Sequence, residues 1–375
     1  MSRILRVKFL LGLFDRPFVD ESLDPQIRRS QLHLDLSLEV ARQSLCLLKN
    51  ENHLLPLKAN LHRIAIIGQN AAIARLGDYA DAAAESSDYG MLNQIKKLVL
   101  PQTQVSFCNG DKIEEAVGNA QSADVVILGL GEKKGISGEG FDRSDLGLPD
   151  NQQALLEAVV KTGVPVVLVL QNGRALALPW AAEHVPAILE AWYPGEFGGR
   201  AIAETLFGQN NPSGKLPVSL PRNVGQLPVF YNHFPSKGNG YIEGDNSPLF
   251  AFGSGLSYTT FRYDHLTVAP PDHGGGDVLV SFDLANAGSR EGDEVAQLYV
   301  RQSTASVATP VKELKGFSRV HLRPGESRRV TLHLKQTDLA IWDVNQQWKT
   351  EPGEYQITVG GTSNSGVSTR FKLNE

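Results

Sequence analysis

The chain has 375 residues, a formal net charge of −5 and 21% charged residues. This length predicts two or three domains with cores of their own. No basic tract is present, which argues against electrostatic capture of nucleic acid. No apolar stretch is long enough to cross a membrane. The apolar run near the N-terminus is too short for a signal peptide and leads into Asp15, Arg16 and Pro17, so the compartment stays open.

Residues 1–58 are predicted to form a helical connector. Between positions 34 and 50 the apolar residues recur near the helical period, and Asn50-Glu51-Asn52 ends the pattern.

An α/β pattern is predicted for residues 59–215. Short, continuous apolar runs occur at 63–68, 123–131, 165–173 and 186–195, and helical stretches such as 150–163 and 198–208 separate them. Continuous apolar strands that alternate with helices indicate a mostly parallel sheet covered on both faces. Ligands of such sheets bind at the carboxyl ends of the strands, and the loop that follows residues 123–131 begins at that edge.

The residue composition and pattern change twice in the C-terminal half. Residues 216–262 are rich in Pro, Gly and Asn and are predicted to be an irregular linker. From 263 to 375, apolar and polar residues alternate in short runs separated by turns, which predicts a β-sandwich. The expected fold class is therefore α/β plus all-β.

Two kinds of site are disfavoured by the motifs. The run GLGEKKG at 129–135 has the wrong spacing for a dinucleotide fingerprint, and no helix clearly opens from its second glycine. Metal-site patterns such as His-Glu-x-x-His or paired Cys-x-x-Cys are missing, and the histidines are scattered. We expect neither a metal nor a cofactor.

The segment SGEGFDR at 137–143 places Glu139 between two glycines. Glycines allow unusual backbone angles and the close approach of another molecule, so the carboxyl could act as a general acid toward a substrate. Asp142 and Arg143 could pair and stiffen the loop. A solvated turn explains the same residues, and the local sequence leaves both interpretations open.

Several longer stretches resemble glycoside hydrolase family 3, the β-glucosidase and β-xylosidase family. NPSGKLP and FGSGLSYT are its most specific blocks here. The resemblance to the family's second domain and to its fibronectin type III-like domain covers essentially the whole chain in order, through the segments 41–57, 137–159, 167–178, 192–222, 250–261, 290–300, 310–327 and 351–361.

This resemblance implies a retaining glycosidase that hydrolyses terminal β-D-glycosyl residues. Such enzymes use a nucleophile and an acid/base carboxyl that lie about 5–5.5 Å apart. In the family the nucleophile is an aspartate on a (β/α)8 barrel, and the acid/base glutamate comes from a loop of the second domain. Glu139 occupies that motif position. Glu132 is the second candidate, and Asp142 and Arg143 are expected to support the loop.

Nothing in this sequence resembles the barrel, so we expect no nucleophile in this chain. The expected partners are a β-linked oligosaccharide or glycoside and a separately encoded (β/α)8 barrel. The barrel would cover an apolar or sugar-facing surface near residues 130–145. The alternative is a non-catalytic remnant that binds glycans or other proteins.

Overall fold

The computed structural model describes residues 1–375 except 59, 81–84, 236–240, 243, 271–275 and 375. An α/β unit with a mostly parallel sheet precedes a β-sandwich, which confirms the expected fold class. In the part of the chain that the structure describes, every helix is too short or too polar to span a bilayer.

Three helices precede the sheet: α1 (Ser2–Leu10), α2 (Asp24–Ile27) and α3 (Gln31–Ser44). Helix α1 has no buried residue, whereas α3 buries Leu38 and Ala41 against the sheet. The helix predicted to continue to position 50 was wrong. Residues Cys46–Asn50 form strand β1, because the apolar run Cys46-Leu47-Leu48 enters the core beside another strand.

Strand β1 belongs to a six-stranded sheet in the order β1-β6-β5-β4-β2-β3. Its pairing with β6 is antiparallel, and the other four pairings are parallel. The remaining elements of this unit are, in chain order, β2 (Arg63–Ile67), α4 (Met91–Leu98), β3 (Gln104–Cys108), α5 (Ile113–Gln121), β4 (Val125–Gly131), α6 (Gln152–Val160), β5 (Val166–Gln171), α7 (Pro179–His184), β6 (Ala187–Glu190) and α8 (Gly198–Leu206).

Helices cover both faces of this sheet. Helices α5, α6 and α7 pack on one face, and α3, α4 and α8 pack on the other. The central strands β4 and β5 are buried along their whole length, as the continuous apolar runs predict for a parallel sheet. Parallel pairing brings the carboxyl ends of β2, β4, β5 and β6 to one edge, so the segments after them lie close together.

The β-sandwich has one sheet in the order β10-β9-β14-β15 and a second in the order β11-β8-β7, with β12 and β13 as a short ribbon. Apolar side chains of the two sheets, among them Phe282, Leu298 and Ile357, form its core. The strands are β7 (Phe261–Ala269), β8 (Val278–Asn286), β9 (Gly292–Gln302), β10 (Glu313–Leu322), β11 (Ser327–Leu334), β12 (Ile341–Trp342), β13 (Trp348–Lys349), β14 (Gly353–Thr362) and β15 (Ser365–Leu373).

A buried polar cluster joins the α/β unit to the sandwich. The Lys215 ammonium lies 3.2 Å from the Glu294 carboxylate, and the Tyr263 hydroxyl donates to the same carboxylate at 2.8 Å. Gly214 and Gly255 lie so close together that a Cβ on Gly255 would fall 2.0 Å from the Gly214 carbonyl oxygen. The NPSGKLP and FGSGLSYT blocks therefore build the junction between the two units.

Candidate active site

The candidate site lies in the loop that follows β4 at the carboxyl edge of the sheet. Glu132 is its first residue, and the Glu132 amide donates to the Gln171 carbonyl at the end of β5 at 2.8 Å. The Gln152 side chain anchors Gly131, because it accepts from the Gly131 amide and donates to the Gly131 carbonyl. The sheet therefore fixes where the loop begins.

The Glu132 carboxylate is fully buried beneath this loop. Its Oε1 lies 2.6 Å from Arg174 Nε and 3.4 Å from Arg143 Nη1, and its Oε2 accepts from the Gly173 amide at 3.1 Å. Two guanidinium groups and a backbone amide compensate its charge, as a buried carboxylate requires. Enclosed in this way, Glu132 supports the base of the loop, and its place as the second acid/base candidate stays a prediction.

Glu139 lies at the exposed tip of the same loop. A turn closes there because the Phe141 amide donates to the Gly138 carbonyl at 3.2 Å. Gly138 and Gly140 have φ values of +130° and +80°, which side chains other than glycine rarely adopt. Within the described residues, the Glu139 carboxyl makes no hydrogen bond or ion pair, so it is available to a ligand.

Asp142 and Arg143 do not pair with each other as the sequence suggested. Arg143 donates instead to the Gly147 carbonyl at 3.1 Å and reaches Glu132, so it ties the loop's later half to its base. Asp142 is exposed, and it has no ion pair with any residue that the structure describes. Phe141 beside it is half exposed. Among residues 130–145, the exposed positions are 135, 139–142, 144 and 145. That a barrel covers this surface stays a prediction.

Sequence reasoning missed Asp78 and Arg174, which contact the loop from distant segments. The Asp78 carboxylate accepts from the Gly135 and Ser137 amides at 2.5 and 3.0 Å, and Arg174 donates to the Ile136 carbonyl at 2.7 Å. Asp78 lies 57 residues from Gly135, and its segment carries no periodic pattern. Arg174 lies in segment 167–178, VLVLQNGRALAL, and the family resemblance of that segment is the signal that could have indicated it.

A second buried carboxyl, Glu190, lies at the end of β6. Burial raises its pKa to about 8; the Trp192 amide and the Asn172 side chain oppose this by donating to it, and the nearby Glu132 charge adds to it. Trp192 has a φ of +53°, an uncommon value for a residue other than glycine. The chain thus leaves the end of β6 by a strained turn that the Glu190 carboxyl stabilises.

The described residues do not favour the other classes of site. No group of three His, Cys, Asp or Glu side chains among them could hold a metal ion. After Gly131 the next helix is α6, which begins only at Gln152, so no helix N-terminus directly follows the glycine-containing run as a dinucleotide site requires.

Comparison with known sequence families gives two matches. Residues 45–258 match the glycosyl hydrolase family 3 C-terminal domain, and residues 294–363 match a fibronectin type III-like domain.

Individual relatives match along nearly the whole chain. A β-xylosidase of Formosa agariphila is 39% identical over 388 residues, which cover 96% of this chain and 53% of that protein. A periplasmic β-glucosidase of Salmonella typhimurium is 37% identical over 417 residues, which cover 99% of this chain and 54% of that protein. The chain therefore spans about half the length of these relatives.

Solved structures of β-glucosidases also superpose on nearly the whole chain. A β-glucosidase from Erythrobacter marinus superposes with a TM-score of 0.91 at 36% identity, over 99% of this chain and 54% of that one. A β-glucosidase from Listeria innocua in complex with glucose gives 0.90 at 30% identity, over 100% of this chain and 54% of that one.

Proposed function

Because this chain belongs to glycoside hydrolase family 3, we propose that it supplies the acid/base half of a retaining, β-glucosidase-type active site, with Glu139 as the proton donor. One observation carries this proposal. Of the two glutamates in the loop after β4, Glu132 is enclosed by ion pairs, whereas Glu139 is presented to solvent on an anchored turn. The names of the relatives point to terminal β-D-glucosyl or β-D-xylosyl residues as the substrate class.

In this mechanism the Glu139 carboxyl donates its proton to the glycosidic oxygen as the bond to the anomeric carbon breaks. The resulting carboxylate then removes a proton from the water that attacks the glycosyl-enzyme intermediate. The covalent step needs a second carboxylate about 5–5.5 Å away. We propose that this nucleophile is an aspartate of a (β/α)8 barrel, as the family resemblance implies.

The N-terminal segment supports a partner of this kind. Helix α1 buries none of its residues, and it leads into further exposed apolar side chains. Ile4, Phe9, Leu10 and Phe18 are 65%, 67%, 76% and 90% exposed. Several large exposed apolar side chains on one short segment are typical of an interaction site on a folded protein. In our proposal the barrel packs against this segment.

The test is hydrolysis of aryl β-glucosides and β-xylosides by the chain, alone and mixed with a family 3 barrel polypeptide. We expect activity in the mixture only. Glu139→Ala in the mixture should lower kcat/KM by about 10²–10⁴-fold. Added azide should restore turnover and yield a β-glycosyl azide, because azide attacks the intermediate without needing a general base. Glu114→Ala, which removes an exposed glutamate of α5, is the matched control.

The alternative is a non-catalytic remnant that binds glycans or other proteins. If the mixture has no hydrolytic activity, or if Glu139→Ala leaves the activity unchanged, this alternative replaces the catalytic proposal.

A further inference from the structure

We infer that Arg174 is the positioning residue for the acid/base glutamate, because it closes the neck of the loop that carries Glu139. The neck is defined by Ile136 and Phe141, which stand on either side of the tip 137–140. The inference relies on the proposed function only in assigning the chemistry to Glu139, since the loop contacts themselves do not depend on it.

A single nitrogen of Arg174 ties the two sides of the neck together. Its Nη2 donates to the Ile136 carbonyl at 2.7 Å and to the Phe141 carbonyl at 3.0 Å. These hydrogen bonds come from a charged donor and are about twice as strong as those between neutral groups. They span 38 and 33 residues of sequence, so they attach the tip to the turn after β5, which begins at the sheet.

Glu132 holds the Arg174 guanidinium beneath the neck through an ion pair. Arg174 Nε lies 2.6 Å from Glu132 Oε1, while the amide of the preceding residue, Gly173, donates to Glu132 Oε2 at 3.1 Å. A Cβ on Gly173 would fall 2.3 Å from the Ser137 hydroxyl, so this turn lies directly against the loop tip. The buried carboxylate thus gives Arg174 one favoured position beneath the neck.

Asp78 holds the first side of the neck from another direction. Its two carboxylate oxygens accept from the amides of Gly135 and Ser137, on either side of Ile136. The chain before the tip is therefore fixed through its amides by Asp78 and through the Ile136 carbonyl by Arg174. The chain after the tip, at Phe141, is held by Arg174 and by the turn bond to Gly138.

This arrangement matters for acid catalysis because proton transfer needs a donor within about 2.6–3.2 Å of the acceptor oxygen. A displacement of about 1 Å can lower the rate by about 10²-fold. If Arg174 is removed, the two ends of the tip are no longer joined and Glu139 samples many positions. The carboxyl is then present but poorly placed.

The first test needs no catalytic activity. Hydrogen–deuterium exchange of the whole chain is compared between wild type, Arg174→Ala and Arg174→Lys. Lysine keeps a positive charge near Glu132, but its side chain is shorter and its one nitrogen must serve either the neck carbonyls or the carboxylate. In Arg174 these are reached separately, by Nη2 and by Nε. We expect the Gly135, Ser137 and Phe141 amides to exchange about tenfold faster or more in both variants.

Arg200→Ala, which removes an arginine paired with Glu204 on α8, is the matched control and should leave loop exchange unchanged. If Arg174→Ala does not fold, Arg174→Lys decides the question. Unchanged exchange of the loop amides in a folded Arg174→Lys variant overturns the inference.

The second test uses the mixture with a barrel polypeptide. Aryl glucosides with poor leaving groups need protonation by Glu139, whereas a 2,4-dinitrophenyl leaving group hardly does. Arg174→Lys should therefore lose at least about tenfold more kcat/KM on the poor leaving groups. Combined with Glu139→Ala, it should add almost nothing, since both changes remove the same function.

Equal loss on all leaving groups, or additive losses in the double variant, would show that Arg174 is merely structural. If the mixture has no activity at all, the proposed function fails, and the exchange experiment still decides whether Arg174 closes the neck.

Discussion

Two buried carboxylates organise two different parts of this molecule. Glu294, at the junction of the α/β unit and the sandwich, is paired with Lys215 and accepts from the Tyr263 hydroxyl. Glu132, below the loop after β4, is paired with Arg174 and Arg143. Both carboxylates are withdrawn from water, and both have basic partners that are themselves mostly buried.

The partners make the difference between the two clusters. At the junction, the single nitrogen of Lys215 pairs with the Glu294 carboxylate and donates to the Gly255 carbonyl at 2.8 Å, and the Tyr263 hydroxyl donates to the same carboxylate. Under the loop, planar guanidinium groups with several donors also reach backbone carbonyls, so the charge fixes a chain whose tip lies in solvent. Buried charge holds irregular backbone at both places: one ammonium does so at the junction of two units, and two guanidinium groups with several nitrogens do so beneath an exposed loop.

The largest effect should come from Glu132→Ala, which leaves Arg174 and Arg143 without their shared counter-charge. Removing one partner of a buried ion pair destabilises a protein by about 3–5 kcal/mol. Urea unfolding followed by circular dichroism measures the difference. A loss below about 1 kcal/mol would mean that water replaces the carboxylate, and that the guanidinium groups do not depend on it.

Lys215→Met should destabilise the chain by about 3 kcal/mol, because the Glu294 carboxylate would remain buried without its cation. It should also separate the unfolding of the α/β unit from that of the sandwich, giving two calorimetric transitions. Glu132→Ala should leave the coupling between the units intact. Two transitions in Glu132→Ala, or one in Lys215→Met, would remove the proposed difference between the clusters.

Glu190→Gln should change how the free energy of unfolding depends on pH. The Glu190 pKa is raised from an ordinary 4.5 to about 8 by burial, so between these values the folded state holds a proton that the unfolded state has lost. Its contribution to stability is therefore complete below about pH 4.5 and falls by about 1.4 kcal/mol per unit as pH rises toward 8.

The glutamine variant does not titrate, so its stability relative to wild type should rise from pH 5 to pH 8. Urea midpoints at the two pH values measure this difference. Parallel pH profiles for the two proteins would show that Glu190 is ionised in the folded state already at pH 5.

The smallest effect is expected at an exposed pair. Arg370 and Glu354 lie 3.2 Å apart across β14 and β15, with side chains 66% and 48% exposed. Arg370→Ala should destabilise the sandwich by about 0–1 kcal/mol, because water solvates both charges without the pair. The same urea experiment supplies the baseline for Glu132→Ala and Lys215→Met. A loss of stability as large as theirs would show that burial does not explain why the buried ion pairs matter more than this exposed pair.

The central strands of the sheet could be predicted because burial on both faces requires continuous apolar runs, as in β4 and β5. Strand β1 was assigned to a helix because Cys46-Leu47-Leu48 continues the spacing of α3. Strand β3 was missed because it is a short edge strand with only its last residue buried. The domain limits drawn at 58, 215 and 262 stay predictions.

The site was predictable only in part. Glu139 was selected because a family motif surrounds it, and its position stays a proposal about chemistry. Arg174 and Asp78 could not be predicted from local patterns. Their hydrogen bonds to backbone atoms produce no periodic pattern in the sequence, and they join segments 38 and 57 residues apart. Glu132 and Glu139 differ in burial, and the sequence of a loop with two glutamates does not reveal that difference.

The closed neck of the loop has a practical consequence for protein engineering. Because one guanidinium joins Ile136 to Phe141, the four residues between them form a short cassette. Asp78 holds the Ser137 amide, and Gly138 and Gly140 have φ values that favour glycine, so libraries should vary position 139 and insert residues beside it in order to keep both anchors intact. A designer could thus move a carboxyl in small steps without redesigning the scaffold that carries it.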